Sequence, residues 1–166
     1  MKIFIEATLR LARRRGFRNT KGTMGSNSFH VLLVEDDERD ARLLNENFQT
    51  LGLPDSLAQV PGVDAAIDYL QGREPYQDRK RYPLPALILI SLPLSRRAEF
   101  KMLKWLRGEK SLRSIPVVVL ANSREPIGFE QASEFGAVSY LIKPIETQAL
   151  HSLVKAVVSY WMLNEV

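Results

Sequence analysis

From about residue 29 onward the chain alternates short, unbroken apolar runs with stretches whose apolar residues recur at helical spacing, and few folds accept that pattern. Phe29 to Val34, Ser56 to Val60, Ala86 to Ser91, the VVVLA run that Pro116 opens, and Val138 to Ile142 all have strand length. Between them, Ala41, Leu44, Phe48 and Leu51 mark a first helix. Val63, Ala66, Ile67 and Leu70, closed by Gly72, mark a second, and Phe100, Leu103 and Leu106 a third. A short helix over Phe129 to Phe135 ends at Gly136, and Leu150, Leu153, Val154, Val157, Val158 and Trp161 form the stripe of a last one. The prolines of REPYQDRKRYPLP make that polar stretch a loop. Continuous apolar strands predict a parallel sheet covered by helices on both faces. Right-handed crossovers then give an α/β fold, a doubly wound five-stranded parallel sheet flanked by five helices.

In such folds the functional crevice lies outside the carboxyl ends of the strands. The residues found there are Glu35, Asp36 and Asp37 after the first strand, Ser91 to Leu94 after the third, Ala121 to Ser123 after the fourth, and Lys143 and Pro144 after the fifth. Clustered carboxylates repel one another, and a hard divalent cation is the usual compensation. A lysine facing them either neutralises the site or holds a phosphoryl oxygen as a point charge. Metal, cation and positioning are the equipment of phosphoryl transfer. A dinucleotide site is excluded, because it needs a glycine-rich turn where these acids stand.

The rest of the composition narrows the setting. There is no cysteine, so neither a disulfide framework nor a thiolate metal site is available, and a reducing cytoplasm is expected. The longest apolar run, Ala86 to Ile90, is far too short to span a bilayer, so no transmembrane segment is expected. Arginines interrupt the opening MKIFIEATLRLARRRG where a signal peptide needs its apolar stretch. Residues 1 to 23 carry seven Lys or Arg and one Glu, whereas the remainder carries sixteen against eighteen acids. The pI of about 9.5 therefore describes a leader, and no nucleic-acid binding is expected of the domain.

The segments VLLVEDD, YPLPALILISLPL, IPVVVLANS and SYLIKP, in that order and spacing, resemble the successive strand ends of response-regulator receiver domains. The long loop before the third strand and the final SYW resemble the small single-domain regulators paired with bacterial phytochromes and similar kinases. The likeness runs from residue 29 to about 163. It implies a flavodoxin-like receiver fold and a role in two-component phosphorelay signalling. It also implies a magnesium-binding acidic pair, here Glu35 and Asp36, a phosphate-binding lysine, here Lys143, and a switch aromatic on the fifth strand, here Tyr140.

Two positions depart from that pattern. Where the family places the aspartate that accepts phosphate stands Ser91, and where it places a hydroxyl residue at the end of the fourth strand stands Ala121. A serine cannot form an acyl phosphate, and its hydroxyl is a poor nucleophile without an adjacent base. Loss of the third carboxylate also removes a metal ligand, so magnesium is expected to bind weakly or not at all, with no other cofactor. The expected function is that of an atypical, non-enzymatic receiver: a phosphorylation-independent interaction module for a sensor histidine kinase, another response regulator or itself. Two rivals stand beside it, a conventional receiver phosphorylated on Asp36 or Asp37, and an adaptor binding membrane or nucleic acid through the leader.

Several residues carry a second reading. Asp37 suits a helix N-cap. Lys143 is expected to pair with Asp36 or Glu35, and Tyr140 is either a switch or plain packing. The last helix is core on its apolar stripe, while Phe129, Phe135, Tyr160 and Trp161 are candidate anchors of a homodimer face. The domain is expected over residues 28–166, behind a basic, flexible leader of residues 1–27. In that leader Ile5, Leu9 and Ala12 lie on one side of a possible helix and Glu6, Arg10, Arg13 and Arg14 on another. The leader is either such a helix or an untidy extension, with Met24 as an alternative start.

Overall fold

The strands form because their side chains have nothing polar to keep wet. In the computed structural model, which describes residues 29–53, 56–91, 97–122, 133–134, 136–137 and 139–163, the apolar runs become β1 (Val31–Val34), β2 (Leu57–Val60), β3 (Leu87–Ser91), β4 (Val117–Ala121) and β5 (Ser139–Ile142). The periodic segments become α1 (Glu38–Thr50), α2 (Val63–Gln71), α3 (Arg97–Gly108) and α4 (Thr147–Leu163). Every strand pair is parallel, and the order across the sheet is β2-β1-β3-β4-β5. This is the flavodoxin-like receiver architecture that the sequence implies. Four helices are found among the described residues; the fifth expected helix, over Phe129 to Phe135, lies outside them but for residues 133–134.

The alternation of side chains along each strand divides the core in two. Leu33, Leu89 and Leu120 face α1 and α4, where Phe48, Leu150, Leu153 and Val157 are buried. Leu32, Ile88 and Val119 face α2 and α3, where Tyr69, Leu70, Met102 and Leu103 are buried. β1 and β3 are central, and Val31 to Leu33 and Leu87 to Ile90 are fully enclosed. Among the described residues no helix is long and apolar enough to cross a membrane.

Two expectations need correction. Tyr160 is not an anchor for a partner: it is 3% exposed, and its hydroxyl donates to the carbonyl of Ser114 at 3.3 Å. It stands three residues after Val157, on the same helical face as the core stripe, so it closes the domain instead of leaving it. Of the other proposed anchors, Phe129, Phe135 and the side chain of Trp161 lie outside the described residues.

The loop between α2 and β3 is likewise more than a polar connection. Gly72 ends α2 in the left-handed conformation, with φ of 68°, and the backbone N–H groups of Gly72 and Arg73 donate to the Tyr69 and Asp68 carbonyls. The Arg79 guanidinium donates to the carbonyls of Tyr69, Leu70 and Tyr82 at 2.8–3.2 Å. A Cβ on Gly72 would come within 2.9 Å of that guanidinium, so glycine is required twice over. Tyr69, Tyr76 and Tyr82 pack together beside it, Tyr82 edge-on to the other two rings, with centroids 5.1–6.0 Å apart.

Deleting the fully buried ring by Phe48→Ala should cost about 3–5 kcal/mol of unfolding free energy in urea. Leu43→Ala, on the outer face of the same helix and 43% exposed, should stay within about 0.5 kcal/mol of the parent.

Candidate functional site

The strand order reverses between β1 and β3, and a doubly wound sheet opens its crevice at that point. Glu35 follows β1 directly. It is 3% exposed, and the chain holds it at both ends: its N–H donates to the Val60 carbonyl at 3.0 Å, and its own carbonyl accepts from Gln59 Nε2 at 3.1 Å. The carboxylate is equally occupied. Oε1 accepts the backbone N–H of Asp37 at 3.0 Å, and Oε2 accepts Lys143 Nζ at 2.5 Å.

Lys143 reaches Glu35 from the far side of the sheet. Its backbone N–H donates to the Ala121 carbonyl at 2.8 Å, which ties the residue to the end of β4. Two residues on, the Ile145 carbonyl accepts from Asn47 Nδ2 at 3.1 Å, and the Thr147 hydroxyl donates to Asn47 Oδ1 at 2.8 Å. The segment after β5 is thus fastened to α1. The ammonium makes a second ion pair, with Asp40 Oδ2 at 2.7 Å. Burial of the ammonium pulls its pKa down, but the hydrogen bonds and charges of Asp40 and Glu35 outweigh it, and the net shift is upward.

The acidic cluster is therefore not the one that adjacency in sequence suggests. Asp36 is exposed, and the second acid on the ammonium is Asp40. Asp37 does not face the pocket either. It is the N-cap of α1, its Oδ1 accepting the N–H groups of Arg39 at 2.8 Å and Asp40 at 3.2 Å, and these bonds lower its pKa. Capping fixes where α1 begins and so sets Asp40 one turn into the helix, over the ends of the strands.

Ser91 ends β3 half-buried, and Ala121 ends β4 buried. Tyr140 lies opposite Val119 in the β4–β5 register and packs, half-buried, against the core on the α2–α3 side. The donor set does not suit a hard divalent cation. One oxygen of Glu35 is held by a backbone N–H and the other by an ammonium, and β3 offers a neutral hydroxyl instead of a third carboxylate. Among the described residues no group of three His, Cys, Asp or Glu side chains gathers to hold a metal.

The raised pKa of Lys143 carries a sign. The stability it contributes is fully present below its unfolded value of 10.5 and lost as pH rises through the higher folded value. NMR titration of the lysine side chains should find Lys143 deprotonating last-shifted above 10.5, and Asp40→Asn should move it down. Lys143→Met leaves Glu35 buried without its partner and should cost about 3–5 kcal/mol by urea unfolding.

Comparison with known proteins agrees with this architecture. The probable methanogenesis regulatory protein FilR2 of Methanothrix harundinacea is 32% identical over 134 residues, covering 81% of this chain and 84% of its own. Response regulator Rcp1 of Synechocystis is 30% identical over 132 residues, covering 80% and 88%, and its manganese-bound crystal structure superposes with a TM-score of 0.63 over 83% of this chain and 96% of that one. A crystal structure of a response regulator in red light signaling of R. palustris gives a TM-score of 0.69 at 27% identity, over 83% of this chain and 96% of that one. Residues 31–155 match the response regulator receiver domain, and with the topology and the strand-end residues above, the chain belongs to that family.

Proposed function

We propose that this receiver works in two-component signalling as a phosphorylation-independent interaction module, recognised in one standing conformation. The observation that carries the proposal is the pair of strand ends, Ser91 on β3 and Ala121 on β4. In the position where the family accepts phosphate, a serine offers a hydroxyl, which cannot form an acyl phosphate and is a weak nucleophile unless a base activates it. In the position where the family binds the phosphoryl group, an alanine offers no hydrogen bond. Lys143 is already paired with Glu35 and Asp40, so the ammonium has its counter-charges without a ligand. No step of chemistry follows from this arrangement, and the module is a binding one.

The conventional alternative, phosphorylation on Asp36 or Asp37, is disfavoured by where those residues lie. Asp37 is committed to the cap of α1, and Asp36 is exposed, with the second acid on the ammonium supplied by Asp40 instead. The leader, on which an adaptor role would rest, lies outside the described residues. Partners on this reading are a cytoplasmic sensor histidine kinase, another response regulator or a second copy of the chain, the last without Tyr160 in its interface. Manganese-bound Rcp1 is the contrasting case among its relatives.

Tyr140 belongs to the same proposal. Ala121 has no γ atom to obstruct a ring turning in beside β4, and close packing disfavours leaving that space empty. The ring is held inward, in the arrangement that phosphorylation would otherwise bring about.

Incubated with magnesium and acetyl phosphate, the protein should gain no phosphoryl group by intact mass. Stoichiometric, hydroxylamine-labile phosphate on a carboxylate would refute the proposal. Ser91→Asp should remain a poor acceptor, because Ala121 still offers no hydroxyl. Ala121→Thr should shift the Tyr140 ring resonances towards those of a solvated ring; unmoved resonances would show that the steric account of the ring is wrong.

A further inference from the structure

We propose that the ammonium of Lys143 is the resident cation of this pocket, clamped between Glu35 and Asp40 in place of a divalent metal, with Asp40 supplying the second carboxylate that holds it there. The inference deepens the phosphorylation-independent reading and rests on it for its functional meaning.

Charge comes first. The Glu35 side chain is 2% exposed, so its carboxylate has lost its water and needs a positive partner within reach. Lys143, with a side chain 11% exposed, supplies it. One lysine against one buried acid would be a simple pair; the second carboxylate, from Asp40, surrounds the ammonium as metal ligands surround an ion. Both oxygens accept charge-assisted hydrogen bonds from Nζ, Asp40 Oδ2 at 2.7 Å. The carboxylate cage is already closed around a charge. A divalent ion entering it would meet the ammonium already there.

The second observation concerns the backbone, and it is independent of the first. The backbone that carries Lys143 is fastened on both sides of it. Its N–H is bonded to Ala121, and the segment after it is held to α1 through Asn47 by Ile145 and Thr147. Asp40 and Asn47 are seven residues apart, two turns of α1, so one helical face carries both attachments. The cap at Asp37 sets the start of that helix and thereby the placing of both. Helix α1 and the segment after β5 thus form one clamp, with the ammonium at its closed end.

The test is thermal denaturation of the full chain, followed by circular dichroism in EDTA and in millimolar magnesium or calcium. The parent protein should melt at the same temperature in all three, to within about 1 °C. Lys143→Met should melt lower in EDTA and recover by about 5 °C or more with either ion, because the vacated oxygens take it up. Asp40→Asn should melt lower and recover nothing, since a single carboxylate is left. Should Lys143→Met fail to fold in EDTA, Lys143→Gln supplies the same comparison with a neutral polar side chain. A rise in the parent's melting temperature with either ion would overturn the proposal, and so would a lysine variant that folds yet gains nothing from them. Phosphodonor labelling of the parent separates the two readings. A parent indifferent to metal yet phosphorylated keeps the clamp and loses the module, whereas a metal-binding parent that takes no phosphate does the reverse.

Discussion

A parallel sheet enclosed on both faces confines polar chemistry to the ends of its strands. Val31 to Leu33 and Leu87 to Ile90 have no exposed surface, and an unpaired polar group among them would cost several kcal/mol. The chain accordingly keeps every charge until a strand has finished. Glu35 comes one residue after β1, Ser91 is the last residue of β3, Ala121 the last of β4, and Lys143 comes one residue after β5. The order β2-β1-β3-β4-β5 then brings these ends to one edge, with the reversal between β1 and β3 opening room beside them. What remains at that edge is a buried charge in need of a partner, and the Glu35–Lys143–Asp40 clamp supplies it.

The fold was legible because burial on both faces writes itself into sequence as unbroken apolar runs, and all five runs became strands. The helices were legible where a stripe repeats, as at Ala41, Leu44 and Phe48. Tyr160 shows how the same stripe can be misread. An aromatic near the end of a helix invites a surface role, yet its spacing from Leu153 and Val157 already placed it on the core face. The loop after α2 was illegible for a different reason. Arg79 and the three tyrosines are brought together by contacts across the loop, which follow no period and leave no pattern in the chain.

The site divides in the same way. Lys143 and Glu35 could be placed from strand ends alone, and they meet. Asp36 and Asp37 could not be sorted from Glu35 by adjacency, because the chain turns from strand to helix there and neighbouring side chains point apart. One faces solvent, the next caps α1, and Asp40, five residues beyond Glu35, comes back to the ammonium. The geometry of a capped first turn selects it, and a run of acids in sequence does not reveal it.

The clamp also bears on how such a domain could be switched. A ligand shifts a conformational equilibrium only by the difference between its affinities for the two states. A phosphoryl group has that difference when it draws a hydroxyl and a lysine towards itself, but Ala121 has no hydroxyl to draw. Lys143 could answer only by leaving two carboxylates, one of them buried, and breaking a buried pair is strongly destabilising. Both contributions to a shift are thereby removed or opposed. Since reversing even a hundredfold preference takes about 5.5 kcal/mol of differential binding, small ligands at this pocket have little means of supplying it. On the proposed phosphorylation-independent reading, control of the domain passes to partners that bind its faces, where a large interface can supply what the pocket cannot.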